Sequence, residues 1–147
     1  MTEREVMEYD IIIVGAGPAG LSCAIRLKQL KPELMVAVIE KSPEIGTHIL
    51  SGAVIEPGPL DDLLPGWRDN PPSPCVAVEK DEIWLLSKNG RRRLPTPPQQ
   101  KNHGNFIVSL GALCSWMAPQ AEALEVDIFP GYAASEIRYT EDGSVGG

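Results

Sequence analysis

An α/β fold built on a parallel sheet is the class this sequence predicts, and three local patterns predict it. Tyr9-Asp10-Ile11-Ile12-Ile13-Val14 closes on four consecutive β-branched residues, as expected of a parallel strand buried on both faces. Leu21, Ala24, Leu27 and Leu30 then recur at helical spacing until Pro32 closes the segment. Met35-Val36-Ala37-Val38-Ile39 supplies a second apolar strand. Strand, helix and strand thus fit within about 30 residues, as a βαβ unit does.

From Ser42 to Pro98 the chain changes character. Nine of its fourteen prolines lie between Pro57 and Pro98, which disfavours long helices and reads as an irregular insertion. Inside it, Asp81 to Ser87 and Arg91 to Leu94 flank Asn89-Gly90, a dipeptide that tolerates the positive φ of a tight hairpin turn. Regular structure resumes with a strand at Phe106-Ile107-Val108, a helix from about Gly111 to Leu124 and a strand at Val126-Asp127-Ile128-Phe129. Ala133 to Tyr139 and Ser144-Val145 read as further strands around Glu141-Asp142-Gly143, the start of a β-meander. Two positions strain the helix. Pro119 removes a backbone bond to Ser115 and predicts a kink. Glu125 stands where a glycine would suit a left-handed cap, which predicts a different cap or local strain.

Composition excludes several function classes. A net charge of -7 over 147 residues, with Arg91-Arg92-Arg93 the one basic run, argues against a nucleic-acid binder. Cys23, Cys75 and Cys114 are odd in number and far apart, so neither a disulfide framework nor a metal site is expected. The start, Met1-Thr2-Glu3-Arg4-Glu5, lacks the apolar core of a signal peptide and the acid-poor character of a transit peptide. Synthesis in a reducing bacterial cytosol is therefore expected. No apolar stretch approaches the roughly 20 residues that span a bilayer.

The chemistry is carried by Gly15-Ala16-Gly17-Pro18-Ala19-Gly20. Gly15 allows a tight exit from the strand, Gly17 lets backbone approach a pyrophosphate, and Gly20 permits close helix packing. The helix start presents free N–H groups and partial positive charge to the phosphates. Alone, such a hexapeptide reads equally as an ordinary turn. Here it follows an apolar strand, opens a helix, and is followed twenty residues after Gly20 by Glu40, a carboxylate placed to accept ribose hydroxyls. That context selects a Rossmann-type FAD or NAD(P) domain. An acid at Glu40 disfavours a 2′-phosphate, with Lys41 the one feature that favours it.

Asp10 through Lys41 resembles many flavoproteins. More specific are Ile45-Gly46-Thr47-His48-Ile49-Leu50-Ser51-Gly52-Ala53-Val54, Pro57-Gly58 and Pro65-Gly66-Trp67. More specific again are Asn102-His103-Gly104-Asn105-Phe106-Ile107-Val108, Gln120-Ala121-Glu122-Ala123-Leu124 and Pro130-Gly131-Tyr132-Ala133-Ala134. Together these resemble the electron transfer flavoprotein:ubiquinone oxidoreductases from about residue 8 onward. The resemblance implies FAD, electron transfer flavoprotein as donor, ubiquinone as acceptor, a membrane surface as the place of work, and a carboxy-terminal 4Fe-4S cluster. In a bacterium it implies a monotopic protein on the cytoplasmic face of the inner membrane.

Carried onto this sequence, the resemblance puts Gly15, Ala16, Gly17, Pro18, Ala19 and Gly20 at the pyrophosphate, and Glu40 at the ribose with Lys41 beside it. Gly46, Thr47, His48, Ser51 and Gly52 run past the flavin ring. His48 reads equally as a loop residue bonded to backbone, since electron transfer needs no general base. Ser109 and Cys114 are read as capping and core residues, and no catalytic acid, base or nucleophile is assigned. Residues 1–147 are read as the amino-terminal part of one incomplete FAD domain, with the Pro-rich insertion and a membrane-contacting hairpin at about 57–101. Alone, that part is expected to be inactive. Two alternatives stay open: an isoprenoid (geranylgeranyl) reductase or monooxygenase type, and a non-catalytic fragment.

Overall fold

A computed structural model describes residues 6–147, and the acidic start on which the lack of a leader is read lies outside the described residues. In chain order the elements are β1 (Ile11–Val14), α1 (Pro18–Leu30), β2 (Val36–Glu40), β3 (Gly52–Ile55), α2 (Pro57–Leu63), β4 (Cys75–Ala77), β5 (Ile83–Ser87), β6 (Gly90–Leu94), β7 (Phe106–Ser109), α3 (Leu110–Glu122) and β8 (Val126–Pro130). Short 3-10 turns lie at Trp67–Asp69 and Pro98–Gln100. They form two compact units, Met1–Leu50 with Leu110–Gly147, and Ser51–Ser109.

The first unit is a parallel sheet in the order β1-β2-β8. Ile11 stands opposite Val36, and Val36 opposite Val126. Neighbours in register share a face, so Ile11, Ile13, Val36, Val38 and Val126 line one side. There Val36, Val38 and Val126 are buried with Leu21, Ala24 and Ile25 of α1 and Met117 and Ala121 of α3. Burying Leu21 or Ile25 in full contributes about 2 kcal/mol each. The other side is open at β1, where Ile12 and Val14 are 47% and 67% exposed. The expectation of burial on both faces is corrected at this strand: its β-branched run reflects strand propensity, and only the helix-facing half is covered.

Two buried or strained positions shape the helix ends. Lys28 is 6% exposed, and its ammonium donates to the carbonyls of Pro32 at 2.6 Å and Leu34 at 3.0 Å. It thereby satisfies carbonyls just past the end of α1, where the helix dipole also favours a cation. Helix α3 runs from Leu110 through Pro119 to Glu122, one residue before the predicted start and two short of the predicted end. Glu125 follows with φ of 63°, the left-handed cap conformation that glycine adopts without strain.

Beyond β8 the expected strands are reduced. Residues 133–137 have no strand pairing, and an isolated bridge joins Tyr139 to Val145 around the turn before Gly143. Ala133-Ala134-Ser135-Glu136 carries no β-branched residue, so strand propensity there is weak without a partner.

The second unit replaces the expected irregular insertion with an antiparallel sheet, β3-β7-β4, in which Ala53, Val108 and Cys75 lie side by side. The proline rule misses α2 because Pro57 occupies the helix start, where the absent N–H has no intrahelical partner in any case. Trp67 is buried at 4% exposure, edge-on to Phe106 at 5.2 Å, with its indole N–H donated to Asp61 at 2.7 Å. Arg68 stacks over both rings and pairs with Asp61. The expected hairpin forms as a ribbon of β5 and β6, with Ile83 opposite Leu94 and Ser87 opposite Gly90. Its base is buckled by Asp81, which accepts from the Asn102 backbone N–H at 2.8 Å and from its side-chain amide at 3.0 Å.

Candidate functional site

The glycine loop leaves β1 at Gly15, whose φ of 100° lies in the left-handed region. Its N–H is donated to the carbonyl of Ile39 at 2.8 Å, so loop and β2 stay in register past the last sheet pair. Gly17 is the N-cap of α1 with Pro18 next, and no side chain caps that end. The first-turn N–H groups are thus left to a ligand. The two remaining glycines differ in kind. A Cβ at Gly20 would stand 2.0 Å from the carbonyl oxygen of Gly15, whereas one at Gly17 would meet nothing within 4 Å. Gly20 therefore serves packing, and Gly17 keeps open the space over the helix start. That arrangement fits a pyrophosphate.

Glu40 has a structural part that the sequence reading did not assign to it. One carboxylate oxygen accepts the N–H of buried Ala16 at 2.9 Å, and the other accepts the N–H of Ser42 at 2.9 Å. The bond from Ser42 is the largest of the effects that hold its carboxyl below the usual range, followed, against the opposing desolvation, by that from Ala16 and by the charges of His48 and Lys41. An ionised carboxylate has about four acceptor sites, so two remain open. Its backbone carbonyl accepts from Tyr132, and that of Ser42 accepts from Gly131, both beyond β8. Glu40 thus joins the carboxyl ends of all three parallel strands, where open α/β sheets bind their ligands.

The loop after β2 is built on two glycines. Gly46 has φ of 88°, and a Cβ there would stand 2.3 Å from the carbonyl oxygen of Gly111 at the start of α3. Ser115 fastens the same contact by donating to the carbonyl of Ile45 at 2.7 Å. Thr47 donates to the carbonyl of Glu44 at 2.9 Å and shares a hydrogen bond with Ser42, which is 1% exposed. Lys41 and His48 are exposed. Of the residues singled out from sequence, Gly15 to Gly20, Glu40, Lys41, Gly46, Thr47 and His48 share the first unit, while Ser51 and Gly52 fall in the second, where Gly52 opposes Ser109.

Sequence reasoning missed Ser42, Gly111, Ser115 and the backbone of Gly131 and Tyr132. Only the glycines carried a signal, and Gly111 was read only as the start of a helix. Cys114 is wholly buried, and burial, followed by the charge of Glu40, pushes its thiol up to about 11. A neutral thiol of that kind is a packing group. A cavity of about 770 Å³ in the same unit lies instead against Ile12, Val14 and Ile39, and the glycine loop is not among the residues that line it.

Comparison with known proteins agrees with this geometry. The model of the Thi4 family matches residues 2–56. The probable electron transfer flavoprotein-ubiquinone oxidoreductase of Schizosaccharomyces pombe is 50% identical over 97% of this chain and 23% of its own length. Further proteins of that name are 45% to 50% identical, and the chain spans about a quarter of the length of these curated relatives. A geranylgeranyl bacteriochlorophyll reductase-like protein from Thermoplasma acidophilum superimposes with a TM-score of 0.65 at 21% identity, over 93% of this chain and 33% of that one. The flavin-dependent monooxygenase PieE, solved with FAD and substrate, does so with a TM-score of 0.72 at 14% identity, over 94% and 26%. The fold is thus that of part of a Rossmann-type domain, and along nearly all of its length the chain is a homologue of about one quarter of an electron transfer flavoprotein-ubiquinone oxidoreductase.

Proposed function

We propose that this chain is the dinucleotide-holding part of an FAD-dependent oxidoreductase that takes electrons from reduced electron transfer flavoprotein and delivers them to ubiquinone. The observation that carries the reading is the glycine loop latched to Glu40 at the carboxyl end of a parallel sheet, in a chain 50% identical to an enzyme of that name.

Gly15, Ala16, Gly17, Pro18, Ala19 and Gly20 hold the pyrophosphate through backbone N–H groups and the start of α1. Glu40 accepts the ribose hydroxyls with the acceptor sites that Ala16 and Ser42 leave, and Lys41 stands beside it in sequence. Gly46, Thr47, His48, Ser51 and Gly52 form the segment that runs past the flavin ring. When bound, the flavin supplies the redox chemistry, and the protein supplies position and electrostatics. No side chain of this chain is given a proton-transfer role. The resemblance would place a 4Fe-4S cluster in carboxy-terminal sequence outside this stretch.

The ribbon of β5 and β6, within the insertion at about 57–101, is the membrane contact of a monotopic protein on the cytoplasmic face of a bacterial inner membrane. Exposed Trp84, Leu85 and Leu86 beside Arg91, Arg92 and Arg93 support it. No helix among the described residues is long and apolar enough to cross a membrane. The test uses the full-length protein, which is expected to copurify with non-covalent FAD and to reduce a ubiquinone analogue with electrons from reduced electron transfer flavoprotein. Folded protein without flavin overturns the cofactor assignment. Flavin-loaded protein inert toward the reduced donor overturns the partner assignment.

A further inference from the structure

The ribbon of β5 and β6 is amphipathic across its width. Directly paired residues of an antiparallel ribbon lie on the same face. The register pairs Leu85 with Arg92, and on the opposite face Trp84 with Arg93 and Leu86 with Arg91. Each face therefore carries an apolar side chain from β5 and an arginine from β6. Apolar character runs along one edge of the ribbon and basic character along the other. A ribbon that buries one face on a protein core shows the opposite arrangement, with both strands alternating in phase.

A strand apolar on both faces fits a medium that surrounds it on both sides. Leu85 and Leu86, which point to opposite faces, are 59% and 73% exposed, and Trp84 is 39% exposed. The guanidinium of Arg91 stacks over the Trp84 ring at 4.8 Å, and that pair suits the boundary between acyl chains and headgroups, where tryptophan concentrates. Arg93 pairs with Glu82 at 3.4 Å, while Arg91 and Arg92 join none of the ion pairs among the described residues. In a chain of net charge -7, this edge presents concentrated positive charge to an anionic surface.

We propose that the ribbon meets an anionic phospholipid bilayer edge-on, with β5 toward the acyl chains and the arginines of β6 at the level of the phosphates, which makes binding selective for anionic lipid. This rests on the membrane-contact reading above. The free outer edge of β5, unpaired among the described residues, limits the depth to the interfacial zone where water still reaches backbone groups.

The experiment is vesicle flotation of the purified protein with phosphatidylcholine alone and with one third phosphatidylglycerol, a composition set by the experimenter. Binding to the anionic vesicles is expected to be roughly tenfold tighter or more, and to weaken with added salt. Leu85→Asn and Leu86→Asn, on opposite faces, should each weaken it by about tenfold. Arg91→Gln and Arg92→Gln, again on opposite faces, should each lower the preference for anionic lipid several-fold and leave binding to neutral vesicles unchanged. All four positions are exposed, so circular dichroism should show an unchanged fold. Loss confined to the variants of one face overturns the edge-on arrangement, and equal binding to both vesicle types overturns the lipid selectivity. Binding to neither vesicle removes the membrane reading itself.

Discussion

Each of the two units is held together internally by its own means. In the first, backbone meets backbone or a carboxylate at points where only one residue type fits: Gly20 against Gly15, Gly46 against Gly111, and Glu40 between Ala16 and Ser42. In the second, side chains do the fastening, as Trp67 does on Asp61 and Phe106, and Asp81 on Asn102. The first kind of contact tolerates no added atom. The second loses stability by subtraction.

The largest expected effects test that contrast directly. Gly20→Ala should cost about 3 kcal/mol, at the upper end of overpacking, because the new methyl meets a backbone oxygen that cannot swing away. Trp67→Ala should cost a comparable 3–5 kcal/mol or so by leaving a void against Phe106 and taking one donor from Asp61, which keeps Arg68. Chemical denaturation of both variants is the measurement. An unchanged midpoint for Gly20→Ala would mean that α1 moves freely off the loop, and the backbone-contact picture of the first unit would fail. Gly17→Val sharpens the point. With nothing within 4 Å of an added Cβ, stability should stay close to that of the parent while flavin is lost from the full-length protein. Full flavin occupancy in that variant would remove the pyrophosphate assignment.

The same contrast explains what could be read in advance. The β1-α1-β2 unit and the glycine loop are written in adjacent residues, so period, glycines and the spacing to Glu40 placed them within a residue or two. In β3 and β4 a few residues, Gly52–Ile55 and Cys75–Ala77, are too short to show alternation, and they become strands only because β7 arrives later to pair with both. The strand expected at Ala133 to Tyr139 shrinks for the converse reason to a bridge between Tyr139 and Val145, as residues 133–137 have no strand partner among the described residues. In the site, the glycines announced themselves, whereas Ser42 gave no sign because its part is played by a backbone N–H that every residue except proline carries.

A smaller effect is expected from pH. The carboxyl of Glu40 is held below its ordinary value of 4.5 mainly by the N–H of Ser42. A depressed folded-state value means that the latch contributes stability above the unfolded-state value and loses it as pH falls through the folded one. The stability difference between the parent and Glu40→Gln should therefore be constant from neutral pH down to about 5 and shrink below about 4.5. Glu40 is only partly buried, so the difference itself should be modest. A difference that grew on acidification would mean that the carboxylate is not the form that holds the loop.

The smallest effect is a gain. Glu125 sits in the left-handed region at φ of 63°, a conformation that costs a residue with a Cβ about 1 kcal/mol relative to glycine. Nothing in its side chain offsets that cost, for its carboxylate lies 3.9 Å from Lys28, is 89% exposed, and belongs to the class of surface pairs worth little. Lys28 keeps its carbonyl partners at Pro32 and Leu34 without it. The cap itself is a backbone bond from the N–H of Glu125 to the carbonyl of Glu122 at 2.8 Å, which glycine retains. Glu125→Gly should therefore raise stability, by slightly less than the 1 kcal/mol or so of relieved strain because glycine also loosens the unfolded chain. Thermal melting of the two proteins side by side decides it. A lowered midpoint would show that the carboxylate matters to Lys28 after all, and that here the first unit relies on a side-chain contact of the kind that fastens the second.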